Sequence, residues 1–237
     1  MHIWFLSILL ITFIVEAVVS TLSEKKYRNV FMAEKIKCKN YYQTITVLWG
    51  IVFVIFIMCL IGGISLTDIG LRWLSFNYNL WLTAISLVIS GLFILILLLQ
   101  SIQLVTSTKA QEDAKKKIAT GEGAGQMLPR TKKEKRLFVL VSLTAGICEE
   151  IIFRGFLVFL LQAIFSSLPI YLIVIISSVI FGLVHLYQGW QGIIKTGVIG
   201  AFLMCLVLVT NSLIISMLLH FLMDVSSVFL LSEEQAE

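Results

Sequence analysis

Runs of about twenty apolar residues, separated by short polar connections, recur along the whole chain and set the terms on which it can fold. A membrane helix needs about 20 such residues to cross a hydrocarbon core of about 30 Å. The runs fall at about 3 to 22, 44 to 64, 80 to 103, 134 to 162, 169 to 188, 192 to 210 and 212 to 231. Of the 237 residues 59% are hydrophobic and 14% charged, against about 45–50% and about 25% in an ordinary soluble domain. So much apolar surface must be buried in protein or lipid, which excludes a disordered chain and argues against a soluble globule. The expectation is an all-α polytopic membrane protein with about seven transmembrane helices in one bundle. Three N-terminal helices would occupy 1–103, a basic cytoplasmic linker 104–136, and a four-helix core 137–237.

The net charge is +4, from 18 Lys and Arg against 14 Asp and Glu. Fifteen of those cations lie in two segments, 24 to 39 and 109 to 136, each flanked by apolar runs. That is the distribution of cytoplasmic loops under the positive-inside rule, in contact with anionic lipid, and not a nucleic-acid surface. The run at 3 to 22 has its lysines after it, the reverse of a secretory signal. It is expected to be a first span with its N-terminus outside. Alternation then places both basic loops, the Lys195 connection and the C-terminus in the cytoplasm of a multi-pass cell-membrane protein.

Local signals punctuate the runs. Thr131 followed by Glu134 is a capping-box pattern that starts the fourth helix. Pro169 occupies a first-turn position and opens the fifth. Gly121 to Gly125 match no phosphate-binding fingerprint, since no GK[ST] follows. Cys38, Cys59, Cys148 and Cys205 show no paired spacing, so neither a disulfide framework nor a zinc knuckle is expected. Cys148, although beside two glutamates, reads as a small apolar filler.

The ionisable residues inside the spans carry the functional information: Glu149, Glu150, Arg154, His185, His220 and Asp224. A charged side chain at a helix centre costs roughly 2.5 to 3.5 kcal/mol on an insertion scale, so such residues need partners and mark function. Glu150 and Arg154 are four apart with the acid first, the favourable order for a helical ion pair. Glu149, turned by about 100°, lacks that arginine and is the free carboxylate, a candidate general base. Phe181 and His185 share a face one turn apart, as do His220 and Asp224. Glu16, near the cytoplasmic end of the first run, can snorkel and is given no role.

EExxxR, FxxxH and HxxxD, in this order on successive membrane helices, resemble the three motifs of the CAAX protease and bacteriocin-processing family of intramembrane proteases. That family, also called Abi, includes the type II CAAX prenyl endopeptidases. The resemblance runs from about 129 to 224. It implies hydrolysis of a peptide bond in a membrane-associated or lipidated peptide or protein. Carried over residue by residue, Glu149 would activate water, His185 would hold that water or shuttle its proton, and His220 with Asp224 would stabilise the oxyanion or orient the site. Glu150 and Arg154 would be the supporting pair, and Phe181 a wall of the cleft. The type II enzymes carry Asn where this chain has Asp224. An ionised Asp cannot donate as Asn can, so Asp224 either orients or charges His220 or is itself protonated. No metal or other cofactor is favoured. The alternative is zinc on Glu149, His185 and His220, a His₂Glu set. Against the enzyme stands a membrane scaffold or bacteriocin-immunity protein that binds a peptide without cutting it. An ion pathway through the same residues is a third reading.

Overall fold

The computed structural model describes residues 34–75 and 129–230, together with scattered helical positions between 84 and 112. The first apolar run and Glu16 lie outside the described residues, as do most of the third run and of the basic linker. The described chain is all-helical, with no strand.

Helix α1 spans Glu34–Gly62, starting well before the apolar run that foretold it. Lys37 and Lys39, expected in a basic loop, are therefore on the helix. The cause is a partner. The Lys37 ammonium lies 3.2 Å from Glu134 Oε2, with both side chains almost fully buried. Helical spacing sets Lys37, Cys38 and Tyr41 on one side, where Cys38 and Tyr41 pack against Leu137 and Phe138. The rings of Tyr41 and Phe138 meet edge to face at 5.8 Å.

From Lys132 the chain is one continuous helical rod to Ile164, in three parts. Helix α2 is Lys132–Glu149, a π-helical segment is Glu150–Leu157, and α3 is Val158–Ile164. Thr131 caps α2 by accepting from Glu134 N. The carboxylate of Glu134 does not return to its cap as a capping box would. It accepts instead from Arg130 N, at 2.6 Å, and from Lys37. Every residue of the π segment is buried, walled partly by Val52, Ile55 and Cys59 of α1.

Helix α4 spans Ile170–Leu183, with Pro169 at the N-cap, one position before the first turn. The apolar pattern predicts a fifth helix reaching about 188. The chain instead reverses through Val184, His185 and a 3₁₀ turn, Leu186–Gln188, before Gly189 at φ +82°. Helix α5, Trp190–Thr210, starts at once. Hydropathy misses this reversal because Val184, Leu186 and Tyr187 continue the apolar pattern. Asn211, at φ +48°, ends α5 in the left-handed region, and α6 covers Ile214–Leu230.

The turn before α6 is clasped to the connection after α1. Leu213 N donates to Gly70 O, Ser75 N to Thr210 O, and Ser212 Oγ to Arg72 O at 2.6 Å. Leu213 is fully buried beneath this clasp, so the start of α6 is fixed in register. Helix α6 then packs along α2, and α5 along α4. Many large apolar side chains face outward, among them Leu60, Ile61, Ile175, Val179, Val198 and Leu218. Among the described residues two helical stretches, Ile36–Gly62 and Trp190–Thr210, are long and apolar enough to cross a membrane. All four cysteines are buried, and none is in a disulfide.

Candidate active site

Backbone contact between α2 and α6 builds the site. A Cβ at Gly146 would stand 2.9 Å from Phe221 N and 3.0 Å from Met217 O, so only glycine lets the helices touch there. The contact lies one turn before Glu149 and directly after His220, and it sets these two side chains against each other.

Glu149 ends α2 and Glu150 opens the π segment, whose wider turns close i to i+5 bonds and recur at functional sites. Glu150 is completely buried and its Oε1 has two partners: Arg154 Nη1 at 2.9 Å and His220 Nδ1 at 2.9 Å. The expected Glu150–Arg154 pair is therefore present but does not merely neutralise itself. It also reaches across to α6 and holds a histidine. The Arg154 guanidinium lies 3.9 Å over the Phe181 ring, an attraction between cation and ring quadrupole. Phe181 packs in turn on Phe153, with centroids 5.0 Å apart, and on His185 at 4.7 Å. Phe181, expected as a wall of the cleft, thus seats the arginine.

The partners set both imidazoles. His185 Nδ1 lies 2.7 Å from Phe181 O. A carbonyl only accepts, so Nδ1 carries the hydrogen and Nε2 of the neutral ring is an acceptor. His220 Nδ1 donates in the same way to Glu150, and its Nε2 faces Asp224 Oδ2 at 3.8 Å. Glu149 Oε2 stands 3.9 Å from His185 Nε2 and 3.9 Å from His220 Nε2. It is buried and makes no direct hydrogen bond. A separation of 3.9 Å is too long for a hydrogen bond and suits polar atoms bridged through one oxygen. Three carboxylates thus surround His220, while Arg154 is, among the described residues, the only permanent cation in the cluster.

The four expected site residues, Glu149, His185, His220 and Asp224, come together, with Glu150, Arg154 and Phe181 directly behind them. His185 differs from expectation in its setting: it lies on the turn after α4, not along a helix. Exposure is graded across the cluster. The Asp224 side chain is 37% exposed, Glu149 16% and His220 8%, so Asp224 marks the open side. Sequence reasoning missed the Glu150–His220 bond, for which residues 70 apart carry no local signal. It also missed Tyr187, whose ring lies 5.8 Å from that of His185.

Residues 133–226 match the family model described as type II CAAX prenyl endopeptidase Rce1-like. The match begins at the second residue of α2 and ends within α6, enclosing every residue of the cluster and leaving α1 outside. No curated protein and no solved structure matches the chain. Over residues 133–226, fewer than half of the chain, the sequence is similar to that family.

Proposed function

We propose that the chain is an intramembrane endopeptidase that cuts a membrane-associated or lipidated peptide with a water activated by Glu149. The observation that carries this reading is the position of Glu149 Oε2, 3.9 Å from two imidazole Nε2 atoms. A water oxygen between them donates one hydrogen to Glu149 and the other to His185 Nε2. Glu149 takes the proton as the oxygen attacks the substrate carbonyl carbon, and the carbonyl π electrons move to its oxygen. His220, in its imidazolium form, donates from Nε2 to that oxyanion while Nδ1–H stays on Glu150. When the C–N bond breaks, the protonated Glu149 returns its proton to the leaving amine. Asp224, one turn beyond His220, orients and charge-balances the imidazolium, a role Asn could not fill by charge.

The same three atoms are the set a zinc ion would use. Their 3.9 Å separations exceed the roughly 3.3 Å edge of a tetrahedral site with bonds of about 2.0–2.1 Å. Among the described residues no group of three His, Cys, Asp or Glu closes tightly enough to hold a metal. The spacing suits a bridging water better than a metal.

The proposed topology keeps seven spans, with the N-terminus outside and the C-terminus in the cytoplasm. Helix α4 has 14 residues, about 21 Å at about 1.5 Å each, short of a core of about 30 Å. Its end, with His185, therefore lies within the depth of the bilayer. Non-helical backbone is tolerated there only against protein or a wet cavity, and the half-open Asp224 side chain is the side from which water would reach Glu149.

The test is cleavage of lipidated and unlipidated peptides by protein in detergent. Glu149→Gln should lower kcat by at least about 100-fold, the lower bound for a positioned base, in a variant that melts like the wild type. Asp224→Asn should lower kcat less than Glu149→Gln does. Cleavage that survives Glu149→Gln sinks the mechanism. Cleavage abolished by a chelator and restored by zinc replaces water activation by Glu149 alone with a metal site. A wild-type protein that binds peptide without cutting it supports the scaffold reading instead.

A further inference from the structure

The turn that carries His185 holds a second aromatic residue, Tyr187, which lies outside the three motifs. Its ring is 5.8 Å from the His185 imidazole at an interplanar angle of 34°, within the range of offset aromatic contacts. Its hydroxyl accepts from Gln188 Nε2 at 3.0 Å, and Gln188 N donates to His185 O at 2.9 Å. The Gln188 side chain is itself seated by α5, since a Cβ at Gly192 would overlap it. Gly192 in the first turn of α5, Gln188, Tyr187 and His185 thus form one chain of contacts across the reversal.

The reaction proposed above needs this support. His185 Nε2 must stay aimed at the space it shares with Glu149 Oε2, 3.9 Å away. One hydrogen bond, from Nδ1 to Phe181 O, fixes one point of the ring and leaves rotation about that point. The Phe181 ring meets the imidazole at 59°, a tilted contact that restrains the plane from one direction. A second ring at a different angle removes the remaining swing. His185 also lies beyond the end of α4, so contacts from the turn itself must complete its seating.

We propose that Tyr187, held by Gln188 over Gly192, is a positioning residue that fixes the plane of the His185 imidazole so that Nε2 faces Glu149. The inference rests on the reading of His185 as a water-holding residue, and its test has one arm independent of catalysis. The chain has three histidines, so ¹⁵N-histidine spectra of the detergent-solubilised protein resolve each ring, with His185→Asn and His220→Asn giving the assignments. Tyr187→Ala should shift and broaden the His185 signals, leave those of His220 in place, and lower kcat about tenfold with KM within about twofold, a loss typical of a misaimed group. Tyr187→Phe keeps the ring and should retain His185 signals near wild type and at least about a third of kcat. Unchanged His185 signals in Tyr187→Ala overturn the proposal. So does an equal disturbance of His185 and His220, which signals general loosening, or a Phe variant as damaged as the Ala one. If the wild type cleaves no peptide, the protease reading fails while the spectra still decide whether Tyr187 orients His185.

Discussion

Replacing Arg154 by methionine removes the permanent cation of the cluster while keeping much of its volume. Glu150 has no exposed surface, and its Oε1 serves Arg154 and His220 at 2.9 Å each. Arg154 is itself buried and lies 3.9 Å over Phe181. Breaking a buried pair from one side costs about 3–5 kcal/mol, because a buried charge loses its partner. The lost contact between cation and ring adds about 1 kcal/mol. At about 2–4 °C per kcal/mol for a chain of this size, Arg154→Met should melt about 10–20 °C below wild type in detergent. Glu150→Gln, which leaves the arginine without its carboxylate, should also lose stability. In the double variant neither charge remains, and the amide carbonyl that replaces the Glu150 carboxylate can still accept from His220 Nδ1. It should recover at least half of the loss seen in Arg154→Met, about 2–3 kcal/mol, so the coupling exceeds that figure by whatever Glu150→Gln loses alone. Intrinsic tryptophan fluorescence across the four proteins of this cycle measures it. A single variant melting within about 3 °C of wild type, less than the shift for one or two kcal/mol, would show that charge pairing is not what holds Glu150 in place. A double variant as low as the two single losses added would show the same.

Gly146→Ala forces a Cβ against backbone atoms of α6 at 2.9–3.0 Å, and neither helix has a flexible side chain there to move aside. An overpacking loss of about 1–3 kcal/mol is expected, together with a fall in kcat, since the same contact sets Glu149 against His220; thermal melts and cleavage rates measured in parallel check both. Lys37→Met leaves the buried Glu134 without its ammonium and should lose about 3 kcal/mol, while Lys37→Met with Glu134→Gln should regain most of it. If the Lys37 variant melts like wild type, α1 is not tied to α2 by that pair.

The parts of the site that were legible in the sequence are those lying along one stretch of helix. Glu150 with Arg154 and His220 with Asp224 are spaced by one turn, and the three-dimensional structure keeps each pair on one face because helical geometry alone decides it. The Thr131 cap was readable for the same reason. What escaped depends on chain segments far apart. Lys37 looked like a loop residue because an unpaired lysine in an apolar helix is costly, and only Glu134, 97 residues away, makes its burial tolerable. The reversal after Leu183 left no trace in hydropathy. Gly189 was its one signal, and a lone glycine between two apolar helices reads equally well as a packing residue. The Glu150–His220 bond shows why this matters for chemistry. Read along one helix, Glu150 and Arg154 cancel and Glu149 is the glutamate of interest. Read across two helices, the buried Glu150 determines which nitrogen of His220 carries its hydrogen and where Nε2 points. The role of the second glutamate in EExxxR therefore follows from the close approach of α2 and α6 at Gly146, a contact that no spacing within either helix specifies.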